Sequence, residues 1–591
     1  MLVAAFSVGR PDALPPPRAQ PFFDQATAAQ FTTDLATEFP NRAPGTEGQR
    51  EAAAWVEDRL QSYGFTVERQ TFSAEIPGLG TEELVNLVAV APGTGPATSR
   101  AQRAIVVLAH RDNVGTSPGA DDNASGTGAL LELARDLGSA SFAHPIVLVS
   151  TDGGAYGGLG AAHFAQSRPY AGRIAALVNL DSIAAGTAPR IEFAGDTPRV
   201  PSPTLLATAD ESIETETGVE PRRPGALAQL VDLAFPFSFY EQAPFVSRGV
   251  PAVTVTTSGS RPRPPEGDTL ANIDEGRLGA LGRATQTLVA ALDESAEVAS
   301  GTQSYLYFGT RLLYGWTLQL VLVAALIPFL AATVDLFARC RRRHIALLPA
   351  LRSYVSRLTV WLWLGLVFAL FVAVGLLPSG ADRPIGPDTP VAGNWPVATL
   401  GVLLGVSALA WLVVRPRLRP TRSIARQEEL GGHLAAMLVL AVVALVVAAV
   451  NPYSLVFLLP SLHAWLWLPQ VRDRGRAVQI GVYLLGFAGP LLLLASFAVR
   501  FEMGLDAVWY VIALTAVGYV PVPLVVAFLA WGAAAGQVGA VALGTYAPYP
   551  DVAERTPGPF REAGRQAILA VRRSRKRHLV AVDDEDRADS G

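Results

Sequence analysis

Residues 315–545 contain one long apolar run after another. A helical run of about 18 or more apolar residues is long enough to cross the apolar layer of a membrane. Seven candidate spans fall at about 315–337, 358–377, 396–414, 433–450, 453–470, 478–499 and 507–531. The fifth is short and carries Pro460 and His463. The stretch 532–548 is rich in Gly and Ala, and either extends the last span or lies at the interface. Overall, 50% of residues are hydrophobic and 17% charged. Soluble domains average about 25% charged, so the composition argues against an all-soluble protein and against disorder. A formal net charge of −4 offers no basic field for nucleic acid. The single cysteine, Cys340, excludes a disulfide framework and a thiolate zinc cluster.

The connecting loops assign an orientation. Arg339, Arg341, Arg342 and Arg343 follow the first span, and Arg352 and Arg357 precede the second. Arg415, Arg417, Arg419, Arg422 and Arg426 follow the third, and Arg472, Arg474 and Arg476 the fifth. The alternate loops hold little positive charge, chiefly Arg383 and Arg500. Basic loops stay in the cytoplasm. The pattern puts residues 1–300 and the 378–394 loop outside and the basic run 572–577 inside, a multi-pass protein of the cell membrane. An exported N-terminal unit needs a leader, and the opening MLVAAFSVGRPDALPPP offers no basic start. Residues 1–24 are therefore expected to be the end of a signal-anchor helix; the alternative is that the domain stays in the cytoplasm and the loop charges mislead. The expected division is an extracytoplasmic domain at 25–300, an all-α membrane domain of about seven helices at 301–550, and a cytoplasmic tail at 551–591.

Residues 25–300 alternate helical and strand-like segments. The stretch from Gly48 to Tyr63 places Ala52, Val56 and Leu60 on one helical face, with Gly64 as its stop. Short apolar strands follow at 84–90, 104–109, 145–150 and 174–180, with a helix at 124–137 between two of them. This order predicts an α/β fold, a mostly parallel mixed sheet with helices on both faces and a site at the carboxyl ends of the strands. Polar residues collect there: His110 to Asn113, Asp121 to Asn123, Asp152 and Asp181. One histidine among several carboxylates suits a metal ion. Asp121 or Asp122 could equally cap the following helix, and Asp181 a turn.

These residues resemble the co-catalytic zinc aminopeptidases, metallopeptidase family twenty-eight, over roughly residues 40–290. The resemblance rests on Asn41 to Gly48, His110-Arg111-Asp112, GADDNASG at 119–126, VNLDS at 178–182, APF at 243–245 and GVPAV at 249–253, in that order. It implies a zinc exopeptidase-like fold. It also implies that His110, Asp121 and Asp181 are metal ligands, Asp121 bridging, with Asp112 orienting the imidazole. The family's general base falls on Gly154, its neighbouring ligand Glu on Ala155 and its last ligand His on Pro264. Tyr240-Glu241-Gln242 replaces a third family motif. One metal site is complete, and the second site and the base are missing, so at most one zinc ion is expected. The expectation is a degenerate peptidase that binds a peptide or small ligand in the old cleft. Two alternatives stay open: a hydrolase using one metal and a relocated base, with Asp152 and Glu241 as candidates, or a transporter or scaffold with the outer domain as its sensor. The lipid bilayer is the other expected contact.

Overall fold

The structure, a computed structural model, describes residues 6–548 apart from 19, 96–102, 139, 187, 296–300, 381 and 421. The expected tail at 551–591, with its basic run, and the first five residues of the leading segment lie outside the described residues. Within that leading segment, Ser7–Gly9 pairs antiparallel with Arg311–Leu313, just before the first long apolar helix.

The N-terminal unit is built on a seven-stranded sheet. Its strands are β1 (Val67–Ile76), β2 (Gly80–Ala91), β3 (Ala104–His110), β4 (Ile146–Thr151), β5 (Ile174–Leu180), β6 (Arg190–Glu192) and β7 (Ala252–Thr256). The order across the sheet is β1-β2-β4-β3-β5-β7-β6. The four inner strands β4, β3, β5 and β7 run parallel, and antiparallel strands close both edges. Strands β3, β4, β5 and β7 are buried along their whole length, as continuous apolar runs demand when helices cover both faces. Successive side chains serve opposite cores. Ile105, Val107 and Ala109 join the cluster under the helices Gln25–Glu38, Gly126–Leu137, Pro203–Thr217 and Glu275–Ser295. Val106 and Leu108 join the one that holds Phe164 and Phe245. The expected mixed α/β sheet is present.

The C-terminal unit is helical. Among the described residues, six helices are long and apolar enough to cross a membrane: Gly315–Arg342, Leu347–Ala373, Val397–Leu418, Arg426–Val450, Pro452–Arg474 and Val522–Ala542. A seventh span exists if Arg476–Leu485 and Ala488–Arg500, bent by 53°, are counted together. The expected span at 507–531 is corrected. It breaks into a short helix, Asp506–Ala516, and the last long helix, which takes in most of the Gly/Ala-rich stretch. Gly518 sits at φ +85° in the break, and Pro521 and Pro523 start the new helix where a missing N–H costs nothing. Ala533, Ala534 and Ala535 are buried with Ala435 and Ala436, so small residues bring helices Val522–Ala542 and Arg426–Val450 close together.

The connections at one end of this bundle all touch the N-terminal unit. Asn451 Nδ2 donates to Leu233 O at 2.8 Å, Tyr519 Oη to Pro236 O at 2.8 Å, and Arg500 pairs with Asp232. Phe237 and Phe239 insert among Phe497, Phe501 and Tyr510. The basic connections gather at the other end, where Arg472 pairs with Glu429 and Ile345 packs near Gly431.

Candidate metal site

The parallel strands end at one edge, and the polar residues of the site sit on the turns that follow. His110 closes β3 and is 2% exposed. Its Nδ1 lies 3.2 Å from the Asp112 carbonyl and 3.4 Å from Asp112 Oδ1. A proton on Nδ1 therefore donates to Asp112, which fixes the ring and turns Nε2 toward the other carboxylates. Nε2 points at Asp122 Oδ1, 3.1 Å away, and at Asp181 Oδ2, 3.6 Å away. The three ligand atoms lie within 4.8 Å of one another. Asp122 Oδ1 is buried and has no hydrogen-bond partner. A buried carboxylate oxygen without a donor is costly unless something positive meets it. Burial and the nearby Asp181 push Asp122 up to about 7. One imidazole and two carboxylates match the donor set of zinc, so the residues fit such an ion.

The aspartate grouped with His110 and Asp181 is Asp122, and the expectation for Asp121 is corrected. The Asp121 side chain turns away from His110 into the protein. Its Oδ1 accepts from the backbone N–H groups of Ala184 and Ala185 at 2.8 and 3.1 Å, and its Oδ2 accepts from Arg263 Nε at 3.0 Å. With those oxygens engaged, Asp121 shapes the turn. Asp268, to which the sequence assigns no role, holds that turn from outside. Its two oxygens accept from the backbone N–H groups of Asp121 and Asp122 at 2.7 and 3.1 Å. Arg42 was another residue without an assigned role. Its buried guanidinium donates to the carbonyls of Arg111, Pro118 and Gly119, tying the opening segment to both site loops.

Asp112 does more than orient His110. Its oxygens accept from Gly154 N and Ala155 N at 2.8 and 3.1 Å. The segment where the base was expected is thereby pulled against the imidazole. A β-carbon at Gly154 would overlap the His110 ring. Of the two candidates for a relocated base, Asp152 is corrected. Its carboxylate is fully buried, 3.0 Å from Arg111 Nη2, and accepts from Gln49 Nε2 at 2.8 Å and Val85 N at 3.1 Å. Strand β4 ends at Thr151 and the chain turns at Gly153, φ +70°, so alternation does not carry Asp152 to the face of residue 154. Glu241 is also buried, with the Thr151 hydroxyl 2.9 and 3.0 Å from its two oxygens. Burial pushes it up to about 8. Of the other two histidines in this unit, His144 contacts Asp293 and His163 stacks on Phe72, both packing roles.

A pocket opens onto the three ligands, with Arg263 and Phe239 on its walls. Its remaining side is unexpected. Gly386, Pro387 and Asp388, from the connection between the second and third long helices, line it as well.

Residues 86–289 match the model of peptidase family M28. This unit is a peptidase family M28 domain. The M28 domain is 28% identical over 170 residues to the alkaline phosphatase isozyme conversion protein of Escherichia coli (strain K12), a match over 26% of this chain and 49% of that one. It is 33% identical over 110 residues to leupeptin-inactivating enzyme 1 of Streptomyces exfoliatus, over 19% of this chain and 23% of that one. The chain thus spans half or less of the curated relatives it matches. Among solved structures, Porphyromonas gingivalis glutaminyl cyclase aligns over 46% of this chain and 99% of its own, at 22% identity and a TM-score of 0.38. BSAP, a zinc aminopeptidase from Bacillus subtilis, aligns over 48% and 99%, at 14% identity and a TM-score of 0.39.

Proposed function

We propose that the M28 domain holds a single zinc ion on His110, Asp122 and Asp181 and uses its cleft to bind a peptide or small ligand, without the two-metal hydrolysis that its sequence resemblance implies. The observation that carries this reading is at Gly154. The position that should supply the base has no side chain, and the imidazole occupies the space one would need. Ala155 and Pro264 offer no ligand atom for a second ion. A general base contributes about 10²–10⁴-fold, so its loss removes most of the hydrolytic rate. Zinc bound there would act as a Lewis acid toward an oxygen or nitrogen of the ligand. His110 supplies a lone pair whose direction Asp112 fixes, while Asp268 fixes the turn that presents Asp122.

The charge asymmetry of the loops supports a placement for the whole chain. The helical unit crosses the cell membrane, the M28 domain lies outside the cytoplasm, and the basic connections lie inside.

The test is an aminopeptidase assay on the full chain in detergent, with added zinc or cobalt. The expected result is no release from aminoacyl reporter substrates, and no gain in Gly154→Glu, whose side chain would displace His110. One observation favours a second reading, hydrolysis with one metal and a relocated base. Glu241 is a buried acid near His110 whose burial keeps it protonated near neutral pH. Turnover that is lost in both His110→Ala and Glu241→Gln would establish that reading and overturn the first.

A further inference from the structure

The pocket at the metal site is built from two units that lie far apart in sequence. The connection between the second and third long helices leaves the bundle, and its residues 382–390 lie across the mouth of the M28 domain. Arg383 is largely buried there. It donates through Nε to Gly157 O at 3.1 Å and pairs with Asp196. Pro384 follows, and its carbonyl occupies the space that a β-carbon at Gly157 would need. The backbone at Gly157, φ +96°, belongs to glycine in any case, so chain meets chain here with no side chain between. Gly386 packs in the same way on the Ala155 carbonyl. Asp388 pairs with Arg261, two residues from the Arg263 that holds Asp121. Behind the loop, Ile385 is buried and its carbonyl accepts from Tyr510 Oη in the short helix Asp506–Ala516. The loop is therefore bonded on both sides, to the M28 domain in front and to the helical unit behind.

These contacts land on the segment 154–157 that replaces the family's base region, on Asp196 and on the loop that carries Arg263. Two of them are ion pairs whose partners are each less than one-fifth exposed, where pairing carries more weight than at an open surface. The close backbone approaches at Gly157 and Gly386 leave no gap for a peptide between the loop and the domain.

We propose that residues 382–390 are the fourth wall of the metal-site pocket and its closure. A peptide-sized ligand reaches His110, Asp122 and Asp181 only when this loop, carried on the second and third long helices, moves away. The inference rests on the packing and on neither the metal nor the absence of hydrolysis, so it stands or falls apart from the reading above. It makes the helical unit part of the binding site.

The test uses the full chain in detergent, in a Cys340→Ala background, with single reporter cysteines. Ala155→Cys lies under the loop, and Gln166→Cys is exposed on the same domain. With a charged, membrane-impermeant maleimide, Ala155→Cys should label at least tenfold more slowly than Gln166→Cys. Adding Arg383→Ala and Asp388→Ala removes both ion pairs and should raise the Ala155→Cys rate at least tenfold, leaving the Gln166→Cys rate unchanged. Should the double substitution fail to fold, Asp388→Ala alone should give a smaller rise in the same direction. Equal labelling at the two positions with the loop intact overturns the proposal. So does a folded loop variant whose Ala155→Cys rate does not rise.

Discussion

Two adjacent aspartates divide the work at this site. Asp122 faces His110 with a bare oxygen, and Asp121 faces backbone N–H groups and Arg263. The sequence shows Asp-Asp, and the direction each side chain takes depends on the backbone of the turn, which composition and spacing do not encode. His110 and Asp181 were legible because each ends or follows an apolar strand. Asp152 was misread for the same reason in reverse, since the strand stops one residue before it. Its partner Arg111 is 1% exposed. Removing one member of a buried pair leaves an uncompensated charge, so Asp152→Ala should lower stability by about 3–5 kcal/mol. Chemical denaturation of the full chain checks this. Glu241 should show itself through pH. Its folded value is about 8, against about 4.3 for a free glutamate, so the folded state holds a proton that the unfolded state releases. Stability from this group is therefore lost as pH rises from about 4.3 through 8. In chelator-treated protein, the melting temperature of Glu241→Gln should gain on the wild type between pH 5.5 and pH 8.5. A constant difference would show that Glu241 ionises freely.

At the scale of elements, the strands and the long helices follow from pattern. Continuous apolar runs gave the buried parallel strands, and longer ones gave the helices that can cross a membrane. The break at residues 517–521 was less legible, because the apolar count runs through it. Pro521, Pro523 and the left-handed backbone of Gly518 override hydropathy there. The Gly/Ala-rich stretch was left open between span and interface. Its residues 532–542 continue the last long apolar helix, with buried alanines packed against the helix Arg426–Val450. That packing predicts intolerance to bulk. Ala534→Leu, at a fully buried position, should cost about 1–3 kcal/mol by overpacking, read as a lower melting temperature in detergent. The same change at Val526, which is half exposed, should cost much less.

For the whole molecule, what the sequence hid was the contact between its halves. Residues 382–390 and the M28 domain are separated by two long helices in the chain, and nothing local to either marks them as neighbours. The structure puts three charge-poor connections against the domain and the basic ones at the far end. Together with the rule for basic loops, this predicts topology. In a Cys340→Ala background in intact cells, a cysteine at Gly172 should react with an impermeant reagent, and one at Arg343 only after the membrane is opened. The reverse pattern would invert the placement. The central claim is that one metal site survives here and that Asp122 completes it. Its most direct test is the zinc content of the purified full chain by elemental mass spectrometry. The account predicts one zinc per chain, retained in Asp121→Asn and lost in Asp122→Ala. Two zinc ions per chain, or zinc that survives Asp122→Ala, would contradict it.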